Sequence, residues 1–498
     1  MMEALDDIAD TQENTQNHTE NTQELVESQP VLDKDPWGRL FKKRILRKRL
    51  GQTATKTVLE AGGLLDYFDI RGNQFNFGRD PKTCQYVCGK DEGLDLKSWN
   101  RISKVHFMMY RESLDPTSPI LLRDLSRNGT YINGELVGQN QTRLVKNGDF
   151  IAIIEPHLKI FQFKDMIVRP SVDLPHDIQS KYFVGKKLGS GAFGQVYKIM
   201  DRKMRIYAVK YIKGCSLGSN LQNSNVTDNE IRIMKKLNHL CIIKTYDIMR
   251  DLNGGASLVL EFMEGGDLLN RIINSPNRRL SEDQGRFVLY QVTAAVSYLH
   301  SKGITHRDIK PDNVLLKDRS EWSVVKLTDF GLSKIVTETS VMKSLIGTPN
   351  YVAPEVLNAD QFNRYTNKVD VWSMGVMLFA MISGTLPFSE DYGDIRKQIT
   401  AGKYTFFPDS WRGISQDAVM LVRNMLKVQP EARINLHEIL ETPWMESTHE
   451  GVQRAQLILD QGGSNVSRIR NTFQDVHLGK ENGFARPLPP SKRPRYNL

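Results

Sequence analysis

Five short runs, far apart but in one order, carry side chains suited to chemistry on a phosphate. Gly189-Ser-Gly191-Ala-Phe-Gly194-Gln-Val196 spaces its glycines as G-x-G-x-x-G-x-V, with Leu188 and Val196 as apolar neighbours for a nucleotide. Backbone amides approach a polyphosphate closely only where no Cβ intervenes. Alone, this run fits a glycine-rich turn or a dinucleotide site equally well. Strand-like runs on both sides, with no helix following, disfavour the dinucleotide site. Lys210, in the strand-like Ala208-Val209-Lys210, can neutralise α- and β-phosphates, and Glu230 on the first long helical segment is placed to pair with it. In His306-Arg307-Asp308-Ile-Lys310-Pro-Asp312-Asn313, Asp308 can orient a substrate hydroxyl and accept its proton. Lys310 can neutralise a γ-phosphate, and Asn313 can hold a magnesium ion. Asp329, in Asp329-Phe330-Gly331, offers the second magnesium ligand, and Ala353-Pro354-Glu355 closes the segment after it. Each run has a bland reading, a surface lysine or a loop aspartate. The five together do not share one. The chemistry they describe is transfer of the γ-phosphoryl group of ATP, with Mg2+ as cofactor.

A second constellation lies upstream: Phe77-Gly78-Arg79, Ser103-Lys104-Val-His106-Phe and Asp124-Leu-Ser-Arg-Asn128-Gly129-Thr130. All fall at expected strand ends or turns. Arg79 can pair a phosphate dianion bidentately, and Ser103 and Lys104 add a hydroxyl and a charge. Asn128 can hydrogen-bond the backbone of a bound peptide, while His106 reads as a brace for the loop. A β-sandwich whose turns need Asn and Gly would explain Asn128-Gly129, but not the Gly-Arg and Ser-x-x-His runs in order.

The elements that must position these residues follow from pattern. The chain has 498 residues, 40 % apolar and 25 % charged, the balance of a soluble globular protein with room for two or three domains. No run reaches the ~18 apolar residues of a membrane span, and the acidic, polar start is no signal peptide, so an intracellular protein is expected. Four cysteines agree with that compartment, and Cys84 and Cys88 read as ordinary thiols without a completing pair of metal ligands. The net charge of +9 comes with no nucleic-acid-binding motif, which disfavours direct DNA binding. Residues 1–35 are polar and lack aromatic residues, which predicts disorder. Residues 36–168 show short alternating runs with Asn128-Gly129 and Asn133-Gly134 as hairpin-type pairs, which predicts a β-sandwich. Residues 169–181 hold two prolines and read as a linker. From 182 to 445 a strand-rich part precedes amphipathic helices, an α+β pattern. Residues 446–498 read as a tail, disordered from about Gly462, closing on Lys492-Arg-Pro-Arg495, which fits a nuclear localisation signal or a solvated basic end. Lys42–Arg49 reads as a basic strand and loop of the first domain.

Across residues 182–445 the chain resembles the eukaryotic protein kinase family, and its HRDxKPxN run resembles the serine/threonine branch. The resemblance implies a bilobal fold, a hinge of Glu261, Phe262 and Met263 after Leu260, and a buried framework of Asp370 and of Arg433 paired with Glu355. Asp267 sits where similar kinases either contact the ATP ribose or receive a substrate arginine three residues before the target. The upstream sandwich resembles the forkhead-associated domain, a phosphothreonine reader. In the N-terminal segment, Thr11, Thr15, Thr22 and Ser28 each precede glutamine. Such clusters resemble targets of the large DNA-damage-responsive kinases, and Leu25 stands three residues after Thr22. The order of cluster, sandwich, linker and kinase, with LSRNGTYING, LGSGAFG, KKLNH, EGGDLLNRI and GTPNYVAPEVL, resembles the checkpoint kinase 2 family. The resemblance implies a nuclear kinase activated by N-terminal phosphorylation and dimerisation, with an upstream kinase and protein substrates as partners. Phosphorylation in the activation segment is expected at Ser344 and Thr348, with Ser340 also a candidate. Ser344 stands where that family often has threonine. The Thr348 hydroxyl has a structural alternative, a hydrogen bond near Asp308 and Lys310. A scaffold that has lost catalysis is the competing reading, against which Lys210, Asp308 and Asp329 argue together.

Overall fold

The computed structural model describes residues 35–43, 66–90, 94–113, 115–169, 171–191, 194–212, 234–251, 255–329, 349–357 and 366–461. In the first part, alternating apolar residues form β1 (Gly38–Lys42), β2 (Tyr67–Ile70), β3 (Gln74–Gly78), β4 (Tyr86–Val87), β5 (Val105–Tyr110) and β6 (Leu121–Asp124). They continue with β7 (Thr130–Ile132), β8 (Glu135–Leu136), β9 (Thr142–Leu144), β10 (Phe150–Ile153) and β11 (Lys159–Asp165). Two sheets result, ordered β2-β1-β11-β10-β7-β8 and β4-β3-β5-β6-β9. Their inner faces share one apolar core. At its centre Phe77 stacks on Phe107 at 4.9 Å and meets Phe161 edge-on at 5.6 Å. Each such buried ring stabilises by ~1.5–3 kcal/mol.

Asn133-Gly134 joins β7 to β8 with φ of 51° and 88°, the left-handed pair of a tight hairpin turn. Asn128-Gly129 differs from the hairpin expectation. It lies between β6 and β7, which belong to different sheets, so it is a crossover loop. The cause is Asp124, whose fully buried carboxylate captures the loop, as described below.

The second part opens with an antiparallel sheet of β12 (Phe183–Gly191), β13 (Gly194–Met200), β14 (Ile206–Ile212), β15 (Thr245–Arg250) and β16 (Ala256–Glu261), ordered β12-β13-β14-β16-β15. A helical lobe follows. Its helix Glu282–Ser301 starts at a capping box between Ser281 and Gln284. Its helix Lys368–Ser383 is buried at every position from Val369 onward, as a run apolar on all faces must be. Between them a small ladder of β17 (Val314–Leu316) and β18 (Val325–Leu327) lies at the boundary of the lobes. No described helix is long and apolar enough to cross a membrane.

Two segments hold more structure than expected. The segment read as a linker contains a helix, His176–Lys181, and its Leu174 and Ile178 pack with Tyr197, Ile199, Val209 and Val259 of the sheet. The segment read as a tail contains the helix Glu450–Gln461, which buries Val452, Ala455 and Leu459. It crosses the start of Glu282–Ser301 so closely that a Cβ on Gly451 would lie 2.0 Å from the Asp283 carbonyl oxygen.

Candidate functional site

The His306–Asn313 loop is held from beneath by Asp370, in the first turn of Lys368–Ser383. The Asp370 carboxylate is fully buried and accepts the backbone N–H groups of His306 at 2.9 Å and Arg307 at 2.8 Å. It also accepts His300 Nε2–H at 2.7 Å. Arg307 is thereby fixed at φ 69°, a conformation side chains other than glycine seldom adopt. From the other side, His306 Nε2–H donates to the Thr328 carbonyl at 2.9 Å, and Thr328 N–H donates to the Asn313 carbonyl at 3.0 Å. These bonds tie the loop to the end of β18, where Asp329 follows.

Asp308, Lys310 and Asn313 meet at the mouth of the cleft. Asn313 Nδ2 donates to the Asp308 carbonyl at 2.7 Å and to its Oδ2 at 2.8 Å, and Lys310 Nζ lies 3.1 Å from Asp308 Oδ1. The asparagine amide nitrogen thus aims the carboxylate, while its oxygen is left to face a cation. Lys210, in β14, pairs with Asp329 Oδ2 at 2.7 Å. Its expected partner Glu230 lies outside the described residues, as do Phe330, Gly331, Ser340, Ser344, Thr348, Thr22 and Ser28. Asn313 Oδ1 and the Asp329 carboxylate are hard oxygen donors. Two protein donors fit a magnesium ion that takes its other ligands from phosphates and water.

The residues expected to face a nucleotide divide by cause. A Cβ on Gly194, at φ 135°, would stand 2.0 Å from the Tyr211 carbonyl oxygen, so the sheet itself demands glycine there. A Cβ on Gly189 would meet nothing within 4 Å among the described residues, so packing does not require that glycine. Gly191 ends β12, Leu188 is exposed beside it, and Val196 stands in β13. The Glu261 carboxylate is committed to Lys326 Nζ at 2.9 Å, leaving the backbone of Glu261 and Met263 as the hinge's polar offering. Asp267 caps the helix Leu268–Ile273, accepting Asn270 N–H at 2.7 Å. Arg433 is buried and grips Glu355 with both terminal nitrogens, at 2.8 and 3.0 Å.

On the sandwich, Arg79, Ser103, Lys104 and Asn128 gather at one end. A Cβ on Gly78 would fall 2.0 Å from the Lys104 carbonyl oxygen, so glycine is required for β3 to approach Lys104. That oxygen accepts Arg79 N–H at 2.9 Å, Asp80 N–H at 3.1 Å and Cys84 Sγ–H at 3.2 Å. Ser103 Oγ accepts Arg127 N–H at 3.3 Å, and Asn128 Nδ2 donates to the Arg101 carbonyl at 2.7 Å. His106 joins both loops, accepting Ser103 N–H on Nδ1 at 3.2 Å and donating from Nε2 to the Gly129 carbonyl at 3.2 Å. Burial holds its ring below the ordinary histidine value, in keeping with a neutral ring in these roles.

Two residues here were given no role from sequence. Asp124 Oδ1 accepts Ser126 N–H at 2.9 Å, Ser126 Oγ–H at 2.7 Å and Thr130 Oγ1–H at 2.8 Å, and Oδ2 accepts Thr130 N–H at 3.0 Å. This buried carboxylate shapes the loop that presents Asn128. Trp99 lies under the Arg79 guanidinium, with Cζ 4.8 Å from the ring centroid, and Lys90 Nζ is 5.0 Å from the same ring. Trp99 Nε1–H is anchored on the Cys88 carbonyl at 2.9 Å. Arg79 Nε is buried without a hydrogen-bond partner among the described residues, so the ring face is what steadies it.

Comparison with known proteins assigns both domains to families. Residues 182–445 match the protein kinase domain family, and residues 75–154 match the FHA domain family. The chain is 42 % identical over 466 residues to the ovarian-specific serine/threonine-protein kinase Lok of Drosophila melanogaster, covering 92 % of this chain and 96 % of that one. It is 37 % identical to the serine/threonine-protein kinase chk-2 of Caenorhabditis elegans, over 72 % of this chain and 74 % of that one. It is 31 % identical to the serine/threonine-protein kinase RAD53 of Saccharomyces cerevisiae, over 80 % of this chain and 52 % of that one. Protein kinases use ATP with a divalent cation, and FHA domains bind phosphothreonine peptides. A peptide-reading sandwich followed by a phosphoryl-transfer cleft, with relatives that match 72 to 92 % of the chain, makes this a serine/threonine protein kinase of the checkpoint kinase 2 family.

Proposed function

We propose that the chain is a nuclear effector kinase of a DNA-damage checkpoint, switched on when phosphorylated Thr22 of one molecule binds the sandwich of another. The observation that carries this reading is the preset Arg79. Its guanidinium is steadied on Trp99 at the same end as Lys104, Ser103 and Asn128. A phosphothreonine carries about −1.5 to −2 charge near neutral pH, which matches that pair of cations. Leu25 then offers an apolar side chain at the third position after Thr22. Reciprocal capture forms a two-fold dimer and brings two activation segments together for phosphorylation in trans, at Ser344, Thr348 or Ser340. Exposed Arg307, next to the catalytic aspartate, is a cationic partner for the phosphorylated segment.

In the transfer itself, Asp308 holds the incoming serine or threonine hydroxyl and takes its proton as the oxygen attacks the γ-phosphorus, while the bond from that phosphorus to the β,γ-bridging oxygen breaks and ADP leaves. Lys310 neutralises the transferring group, and Lys210 holds the α- and β-phosphates. Asn313 and Asp329 would hold Mg2+, which lowers the charge barrier between nucleophile and polyphosphate. Asp267 is the proposed acceptor for a substrate arginine at the third position before the target, with ATP ribose contact as its other use. A peptide array would test the arginine, since equal rates with arginine and alanine there contradict it. For the reader, titration of a Thr22-phosphorylated peptide into the full chain should show binding that the unphosphorylated peptide and the Arg79→Ala chain both lack.

A further inference from the structure

The peptide-reading sandwich and the ATP-holding sheet meet at a polar contact that neither site uses. Asp149, in the turn before β10, has a side chain only 4 % exposed. Within its own sandwich it accepts Asn133 Nδ2–H at 2.7 Å and Lys146 N–H at 2.8 Å. Its two oxygens also receive Nη1–H and Nη2–H of Arg202, at 2.7 and 3.0 Å. Arg202 lies in the turn between β13 and β14. Leu144 N–H, at the end of β9, donates to the Arg202 carbonyl at 3.3 Å. Lys146 Nζ donates to the carbonyls of Gln179 at 3.2 Å and Ser180 at 2.8 Å, near the end of the helix His176–Lys181.

We infer that this surface docks the sandwich onto the small lobe of its own chain, so that the phosphothreonine reader and the glycine-rich hairpin move as one body. The occupant is the same chain, because the connecting segment is itself packed on both partners. Arg169 pairs with Asp165 of the sandwich at 3.0 Å and lies over Phe183 of β12, 4.8 Å from its centroid. Leu174 and Ile178 are buried against the sheet. Asp149 and Arg202 are 53 residues apart. A short packed connection gives a local concentration of order millimolar, far above that of a second copy. The two-bond fork sets orientation as well as attraction, and it adds a counter-charge to a buried carboxylate that Asn133 and the Lys146 N–H satisfy only in part. Arg205, in the same turn, pairs instead with Asp201 of that turn at 2.7 Å. The contact also reaches the reading loop. Asn133, which donates to Asp149, directly follows the strand Thr130–Ile132, which itself begins directly after Asn128-Gly129. A peptide seated at Asn128 therefore rests on a body continuous with the hairpin over the nucleotide. Docking of this kind holds whichever phosphopeptide the reader takes.

Hydrogen exchange on the full chain tests this. Arg202→Ala should raise amide exchange in Leu144–Phe150 and His176–Lys181 by roughly tenfold, whereas Arg205→Ala should leave both segments as in the parent. Phosphopeptide affinity and peptide-kinase turnover of the preactivated Arg202→Ala chain should stay near those of the parent, showing both domains folded. Unchanged exchange in Arg202→Ala would overturn the inference. So would protection that grows with protein concentration, since that would place the contact between two copies.

Discussion

Asp370→Asn probes how the catalytic loop is held. The side chain keeps its shape but loses one acceptor. Three donors point at the carboxylate, from His306 N, Arg307 N and His300 Nε2, at 2.7 to 2.9 Å. An amide offers one oxygen, and its NH2 group faces at least one of those N–H groups. A buried donor left without an acceptor costs ~1–3 kcal/mol, so unfolding free energy should fall by about that amount. The larger effect is on position. Arg307 sits at φ 69°, a posture worth ~1–3 kcal/mol of strain that the Asp370 bond offsets. Once that bond is gone, the loop relaxes and the Asp308 carboxylate moves with it. A misplacement of ~1 Å lowers a positioned reaction by about 10²-fold. Single-turnover phosphorylation by preactivated enzyme should therefore slow by about 10²-fold, while equilibrium ATP binding changes only a few-fold because Lys210 and the hinge lie on the other lobe. A rate within about threefold of the parent, with the stability loss present, would refute the claim that Asp370 sets the loop.

Trp99→Leu should weaken phosphothreonine-peptide binding by ~0.5–2 kcal/mol, or about 2- to 30-fold by calorimetry, and Trp99→Phe should recover most of it. Gly189→Ala should raise the KM for ATP without lowering the melting temperature. Gly194→Ala should lower the melting temperature, because its Cβ would strike the Tyr211 carbonyl oxygen. Burial depresses the folded-state pKa of His106 below its unfolded value. The stability it contributes is then present above ~6.5 and lost as pH falls from there through the folded value. Exchange protection at Ser103 and in β7, relative to the intrinsic rate at each pH, should fall on acidification across that range, and His106→Asn should blunt the pH dependence.

The gathering of Asp308, Lys310 and Asn313, and of Lys210 with Asp329, was legible because the proposed chemistry dictates both residue types and their order. The single bond from Thr328 N–H to the Asn313 carbonyl shows how folding turns that order into proximity. The placement of Arg79, Ser103, Lys104 and Asn128 at one end of the sandwich was legible for the same reason. Trp99 was not, since a tryptophan in the short run LKSWN reads as surface until Arg79 is folded over it. The Asn128-Gly129 pair was read as a hairpin turn because its local signal is that of one. The loop is set by Asp124, whose carboxylate outcompetes the two-residue turn with four hydrogen bonds. The helix at His176–Lys181 was hidden by flanking prolines, although Leu174 and Ile178 have helical spacing. Glu450–Gln461 has the same spacing in Val452, Ala455 and Leu459, but its mostly polar composition read as tail. Asp149 with Arg202 had no signal at all, because a pair 53 residues apart is decided by docking and not by local pattern.

Sedimentation of the full chain with and without phosphate on Thr22 tests the proposed activation most directly. Phosphorylated chain should dimerise at micromolar concentration, and unphosphorylated chain should not. Arg79→Ala should abolish the dimer and slow activation while leaving the turnover of preactivated enzyme intact. A phosphorylated chain that stays monomeric, yet activates as fast as the parent, would contradict the account.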